Sequence, residues 1–278
     1  MLVATHNTMD GLRLDGLLPL YPRLQSAHGA SVGVLCVQEN KPGHADAVAK
    51  ALGGWHRATS DACAPRLATV YDTRLIRHVA TRVLQLPRLA YVPLWQRLYA
   101  ASEPEQKHAA LLAFERVDDG AGLLVANFHL DAAGTNAHRG EQLRAVSGAL
   151  AAEQRARARR GARAHALACG DTNAFSFRRA LAARALRQML TPLAAECGLV
   201  DVGAECERDN HFFKRAREPK LGQRLAVFFG RLGVDFPRRY DVVCTDLPVA
   251  EHGQVEAADS DHDIVWARVR WPSAAAGS

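Results

Sequence analysis

No apolar run in this chain approaches the roughly 20 residues that a membrane-crossing helix needs, and Met1 leads at once into Leu2-Val3-Ala4 rather than into a basic, then apolar, leader. Both absences predict an unexported chain without a membrane span, intracellular and by default cytoplasmic, with the nucleus left open. The six cysteines (Cys36, Cys63, Cys169, Cys197, Cys206, Cys244) contain no CxxC pair, and together with the twelve histidines they show no paired ligand spacing, which argues against a zinc site. Cys36, Cys169 and Cys244 lie inside apolar runs and are expected as small core residues in a reducing compartment. No Pro/Ser/Gly-rich linker and no internal repeat divides the chain, so a single domain over residues 1–272 is expected, with a disordered tail at 273–278.

What is present is enough for a sizeable core: 278 residues, 48% of them hydrophobic. The net charge of +6 suits an anionic partner such as nucleic acid, and suits an Arg-rich solvated surface equally well. Short apolar runs bounded by polar residues predict strands over Leu2–Thr5, Val32–Val37, Leu67–Tyr71, Ala109–Phe114, Gly122–Phe128, Ala164–Cys169, Tyr240–Thr245 and Asp263–Val269. Several are apolar on both faces, as strands enclosed in an α/β architecture are. Helical spacing of apolar residues predicts covering helices over Leu12–Ala27, Ala45–Leu52, Arg139–Arg160 and Arg178–Ala195. A further docked helix is expected over Pro219–Phe236, with Lys214, Arg215, Arg217, Lys220 and Arg224 as a basic approach to it.

The chemistry sits at the tips of these strands. Gly170-Asp171-Thr172-Asn173 follows an apolar run, and in extended backbone an i, i+2 spacing puts Asp171 and Asn173 on one side, a carboxylate beside an amide. Glu39 ends the second run and supplies a hard oxygen of the kind Mg²⁺ takes, while Asn7 is the polar tip of the first. His129 follows Asn127-Phe128. Ser260-Asp261-His262 precedes the last strand, and a carboxylate such as Asp241, placed inside an apolar run, needs a hydrogen-bonding reason to be there. Taken singly, each has a plainer account: a turn, a helix cap, a satisfied strand-end histidine, or for Asp241 a salt bridge to Arg238 or Arg239.

Taken in order, Thr5-His6-Asn7, Val37-Gln38-Glu39, Asn127-Phe128-His129-Leu130, Gly170-Asp171-Thr172-Asn173, Tyr240-Asp241-Val242-Val243 and Ser260-Asp261-His262 resemble the endonuclease/exonuclease/phosphatase superfamily, the deoxyribonuclease I-like fold, over nearly the whole chain. Arg139-Gly140-Glu141-Gln142 is similar to the helix start that follows the His-Leu motif there. The resemblance implies a four-layer α/β/β/α sandwich of two mixed sheets flanked by helices, and Mg²⁺- or Mn²⁺-dependent hydrolysis of phosphoesters. It implies Glu39, Asn7 and Asp261 at the metal, Asp171 orienting or activating water, and Asn173 and His129 on the phosphate. His262 paired with Asp241 would then be base or phosphate stabiliser. Thr172 and Asp10-Gly11-Leu12 look most like the 5′-tyrosyl-DNA phosphodiesterases. The match departs at His6, where that group has Trp, at one extra residue between Asn7 and Asp10, and at Asp263 after His262.

The function expected is therefore a metal-dependent phosphodiesterase on nucleic acid or a nucleic-acid adduct, with Lys214 to Arg224 and Arg238-Arg239 as backbone contacts and Tyr91, Trp95 and Tyr99 as stacking candidates. A phosphatase for a phosphorylated metabolite, inositol or lipid headgroup is the alternative enzyme. A non-catalytic nucleic-acid-binding module is the alternative of another class, disfavoured because every position of the motifs carries a competent residue. No protein partner is inferable.

Overall fold

The computed structural model of the chain describes residues 1–11, 13–94, 96–98, 103–175, 179–204, 209–210, 224, 228 and 239–272. Along it run β1 (Leu2–Asn7), α1 (Leu14–Leu17), α2 (Leu20–His28), β2 (Val32–Gln38), α3 (His44–Leu52), β3 (His56–Ser60), β4 (Leu67–Asp72), β5 (Ile76–Gln85), β6 (His108–Arg116), β7 (Gly122–His129), α4 (Asn136–Arg159), β8 (Ala164–Asp171), α5 (Arg179–Cys197), β9 (Val200–Asp201), β10 (Asp241–Thr245), β11 (Val249–Val255) and β12 (Ile264–Val269). They form two six-stranded sheets, ordered β11-β12-β1-β2-β4-β3 and β5-β6-β7-β8-β10-β9. β1 and β2 run parallel, bridged by α1 and α2, and β7 and β8 run parallel, bridged by α4. Their other neighbours are antiparallel, so both sheets are mixed.

Side chains alternate across each strand and sort into three apolar layers. Val3, Val34 and Cys36 of the first sheet meet Leu112, Leu123, Val125, Leu167, Cys169 and Val243 of the second in the layer between the sheets. Leu2, Ala4, Leu35 and Val37 point the other way, under Leu17, Tyr21, Leu24, Val48 and Leu52 of the first three helices. Leu124, Ala126, Phe128, Ala166 and Ala168 lie under Leu143, Val146, Leu150, Leu186 and Met189 of α4 and α5. The result is the four-layer α/β/β/α sandwich. No described helix is long and apolar enough to cross a membrane.

One polar seam crosses the inner layer. Asn127 donates from Nδ2 to the Ala68 carbonyl at 2.8 Å and accepts from Gln38 Nε2 at 2.8 Å, and Gln38 Oε1 accepts from the Thr5 hydroxyl at 3.1 Å. The seam ties β7 of one sheet to β1, β2 and β4 of the other, directly beneath the strand tips.

Two expectations are corrected. The helix predicted over Leu12–Ala27 is broken at Leu18–Pro19, because proline offers no N–H to the preceding turn and starts a new helix more readily than it continues one. Four strands are additional: β3, β5, β9 and β11, each at the edge of a sheet, where one face meets solvent and no apolar run announces them. The tail at 273–278, all of Pro219–Phe236 except residues 224 and 228, and the stacking candidates Trp95 and Tyr99 lie outside the described residues.

Candidate active site

Topology brings the strand tips together. In the parallel pair β1/β2, Asn7 is opposite Gln38, which sets Glu39 beside the end of β1. In the other sheet, His129 of β7 pairs with Asp171 of β8, and Asp171 with Asp241 of the antiparallel β10, so three candidate side chains form one row across three strands. β12 runs antiparallel to β1, which returns Asp261 and His262 to the same end, and the Ser260 hydroxyl fastens the junction by donating to the Asn7 carbonyl at 2.9 Å and accepting from the His262 N–H at 3.1 Å. Asn7, Glu39, Asp261 and His262 thus come from one sheet; His129, Asp171, Asn173 and Asp241 come from the other.

Asp171 Oδ2 is the hub. Asn7 Nδ2 donates to it at 3.0 Å, and the Nε2 atoms of His129 and His262 stand 3.6 and 3.7 Å away. Its other oxygen accepts the Asn173 N–H at 2.7 Å. Asn7 Nδ2 also donates to Glu39 Oε1 at 3.3 Å, His129 Nε2 lies 3.8 Å from the same oxygen, and Asp261 Oδ1 is 4.0 Å from His262 Nε2. All eight candidates are therefore linked in one cluster. The Asn173 side chain donates to the Leu130 carbonyl at 3.1 Å. Glu39 and Asn173 hold left-handed backbone (φ 53° and 48°), a conformation that costs an ordinary side chain of order 1–2 kcal/mol and is common where a chain turns sharply at a functional tip.

His262 Nδ1 lies 2.5 Å from Asp241 Oδ2. That answers what Asp241 does inside an apolar strand and replaces the salt bridge to Arg239, whose guanidinium instead clamps Asp201 and is buried, so that Arg239 is also withdrawn from nucleic-acid contact. Burial pushes Asp241 up to about 7 against the pull of His262. Burial pulls the other way on His262, but the carboxylates of Asp241, Asp171 and Asp261 outweigh it and hold the imidazole well above its ordinary value. His129 differs: burial, with Lys107 and Arg66 nearby, holds it well below the ordinary value, so it stays neutral. Burial likewise drops His6 to about 3; its Nδ1 meets the Tyr21 hydroxyl at 2.9 Å behind the site.

Two further residues belong to the cluster. The carboxylate of Asp209 accepts the backbone N–H groups of Tyr240 and Asp241 at 2.7 and 2.8 Å, and Asn210 Nδ2 lies 2.9 Å from His262 Nε2. The Asn210 amide serves either proton state of the imidazole, as donor to a bare Nε2 or, turned over, as acceptor from Nε2–H. Both sit in a charged stretch without periodicity, where a buried polar pair leaves no signal in the sequence. The extra residue between Asn7 and Asp10 is absorbed by three consecutive left-handed residues, Met9, Asp10 and Gly11 (φ 49°, 55° and 59°). Arg66 holds that turn at Asp10, 2.6 Å away, and reaches within 3.7 Å of Glu39.

The donor set suits a hard divalent cation. Glu39, mostly buried, is pushed up to about 7 by burial in spite of Arg66, with Asp261 and Asp10 adding to the rise. A carboxylate so placed, with those of Asp171 and Asp261 nearby, offers the oxygen ligands that Mg²⁺ or Mn²⁺ prefers, while Asn7 turns its Nδ2 to this side and its Oδ1 accepts the Met9 N–H at 3.0 Å. The ligating atoms of Asp171, Asp241 and His262 also lie within 4.8 Å of one another. There, however, the Asp241 oxygen and His262 Nδ1 are already bonded to each other, so this trio is better suited to moving protons than to holding an ion.

No family model matches the sequence, and no curated protein matches it. Solved structures do. The chain is similar to an endonuclease/exonuclease/phosphatase family protein from Bacteroides thetaiotaomicron (16% identity, TM-score 0.59, covering 96% of this chain and 93% of that one). It is similar to the mannosyl-6-phosphatase of Bacteroides thetaiotaomicron (16%, 0.59, 98% and 100%). It is similar to D. rerio TDP2 complexed with a single-strand DNA product (12%, 0.60, 96% and 97%). At these identities the likeness is one of architecture, and by its architecture the chain has the endonuclease/exonuclease/phosphatase, or deoxyribonuclease I-like, fold.

Proposed function

We propose that the chain is a divalent-metal-dependent phosphoesterase that hydrolyses phosphodiester bonds in nucleic acid or a nucleic-acid adduct. The observation that carries this is the placing of Asp171 Oδ2 among Asn7, His129 and His262, donors drawn from both sheets. Glu39, Asn7 and Asp261 would hold Mg²⁺ or Mn²⁺. When bound, such a cation draws electron density from the phosphoryl group and offsets charge on the leaving oxygen.

The chain's own residues do the rest. Asp171, kept in place by the Asn173 N–H and the Asn7 amide, orients the attacking water and accepts its proton. His262, gripped by Asp241, sits 3.7 Å from Asp171 and is the cation that faces a phosphoryl oxygen. Neutral His129 donates to the phosphate from the opposite side, with Asn173 beside it. The buried Asp241 occupies the Nδ1 side of the imidazole, and Asp209 holds the Tyr240–Asp241 backbone that carries it.

The likeness to a mannosyl-6-phosphatase over 98% of the chain supports a second reading, a phosphatase for a small phosphorylated metabolite. A 3′-labelled, 5′-tyrosyl single-stranded oligonucleotide incubated with Mg²⁺ separates the two, with mannose 6-phosphate assayed in parallel. Conversion to one 5′-phosphate product supports adduct removal, and a ladder of fragments supports a general nuclease. Phosphate released only from the sugar supports the second reading. Asp171→Asn is expected to lower whichever activity appears by about 10² to 10⁴-fold, the range for losing a general base.

A further inference from the structure

A cavity of about 210 Å³ opens beside the cluster and shares one wall with it, His129. Its other walls are the turn Ala64-Pro65-Arg66-Leu67, ahead of β4, and the segment Glu105-Gln106-Lys107-His108, at the start of β6. Both walls have fixed backbones. The Arg66 carbonyl accepts the Asn40 N–H at 3.0 Å and the Pro65 carbonyl the Asn40 amide at 3.3 Å, while the Lys107 carbonyl accepts the Leu86 N–H at 2.9 Å and the Gln106 amide bonds the Leu86 carbonyl at 2.7 Å. The side chains they carry bring two cations to the cavity. Arg66 is held by Asp10 at 2.6 Å, and Lys107 Nζ by Glu105 at 2.8 Å.

These cations have partners: Arg66 has Asp10 and, at 3.7 Å, Glu39, and Lys107 has Glu105; Asp10 and Glu105 are of a replaceable kind. The Asp10 and Glu105 side chains are 31% and 45% exposed, so either carboxylate can turn into solvent, whereas Lys107 is mostly covered and keeps its ammonium at the cavity. Asp131, another carboxylate near Lys107, is buried and turned to His138 at 3.4 Å and Gln142 at 3.5 Å. A phosphate has three acceptor oxygens and up to two charges, so it can draw the guanidinium and the ammonium together where a surface carboxylate takes one of them. The charges of Arg66 and Lys107 are already felt at His129, the group proposed to touch the scissile phosphate, so an anion in the cavity lies next to the reacting one.

We infer that this cavity is a subsite for a second phosphate group of the substrate, one linkage away from the phosphate that is cleaved, with Arg66 and Lys107 as its specificity-determining residues. The inference rests on the phosphoester reading above, and narrows the substrate to one carrying two phosphates. A nucleic-acid strand and a bisphosphorylated sugar both supply that chemistry.

Binding measured by calorimetry on the Asp171→Asn protein with Mg²⁺ tests it without turnover, so failure here is distinct from failure to find an activity. Adenosine 3′,5′-bisphosphate is compared with AMP, and fructose 1,6-bisphosphate with fructose 6-phosphate. In at least one pair the bisphosphate is expected to bind about tenfold tighter or more, as charge-assisted contacts to a phosphate imply, and the pair that responds identifies the source. Adding Lys107→Met or, independently, Arg66→Gln is expected to reduce that advantage to about threefold or less, with circular dichroism confirming the fold of each variant. Equal binding within both pairs, no binding of any of the four, or a bisphosphate advantage that survives both substitutions would overturn the assignment.

Discussion

A carboxylate buried in a strand needs a partner, and the partners found here were only partly visible beforehand. Asp241 could be read as out of place in Tyr240-Asp241-Val242-Val243-Cys244, and its bond to His262 supplies the reason. Asp209 and Asn210 could not, because nothing in their neighbourhood departs from an ordinary charged loop. Glu39 was legible as a strand tip, but not its electrostatic state. Its folded-state value is raised from 4.5 to about 7, which fixes the sign of its effect: the contribution to stability is fully present below about 4.5 and is lost as pH rises through 7. The thermal midpoint of the metal-free protein is therefore expected to carry a downward step across that window. Mg²⁺ should raise the midpoint by several degrees more at pH 8 than at pH 5, since the cation binds the ionised carboxylate. Differential scanning calorimetry of wild type and Glu39→Gln checks this, and a pH-independent Mg²⁺ effect in the wild type would count against Glu39 as a ligand.

Among the elements, the eight strands expected from the sequence are the eight interior strands, and the four that escaped notice are the four edges. The criterion of apolarity on both faces explains the division. β7 is buried along its whole length, whereas β5 alternates between covered and exposed and carries Arg77, His78 and Arg82 among its residues. Charges on such strands also deter pairing with another copy, so edges are difficult to read from hydrophobicity for the same reason that they are safe. One interior element holds its neighbour by a glycine. A Cβ at Gly170 would lie 2.0 Å from the Phe128 carbonyl oxygen across the parallel β7/β8 pair, a distance no relaxation of a side chain can relieve. Gly170→Ala is expected to force the two strands apart, cost about 2 kcal/mol or more, and remove activity by displacing Asp171 from His129. Chemical unfolding and turnover of that variant measure the two effects separately, and wild-type stability would refute the close approach.

For the whole molecule, the fold class was legible because central strands and covering helices announce themselves; the register of one sheet against the other was not, since it rests on contacts distant in sequence. The polar seam of Asn127, Gln38 and Thr5 sets that register. Asn127→Leu keeps the number and branching of side-chain heavy atoms and removes the bonds to the Ala68 carbonyl and the Gln38 amide, at a cost of about 1–3 kcal/mol for each. Urea unfolding should show the loss, and a weakened Mg²⁺ affinity should accompany it. The division of the cluster into four residues from each sheet has a wider consequence. Neither sheet alone carries the whole cluster, so its geometry depends on the gap between two sheets that share one inner apolar layer. On the function proposed above, a swelling of an ångström or two, too slight to disturb either sheet or to alter the backbone spectrum, would break the Asn7 bridge between Glu39 and Asp171 and silence the protein while it still looks intact.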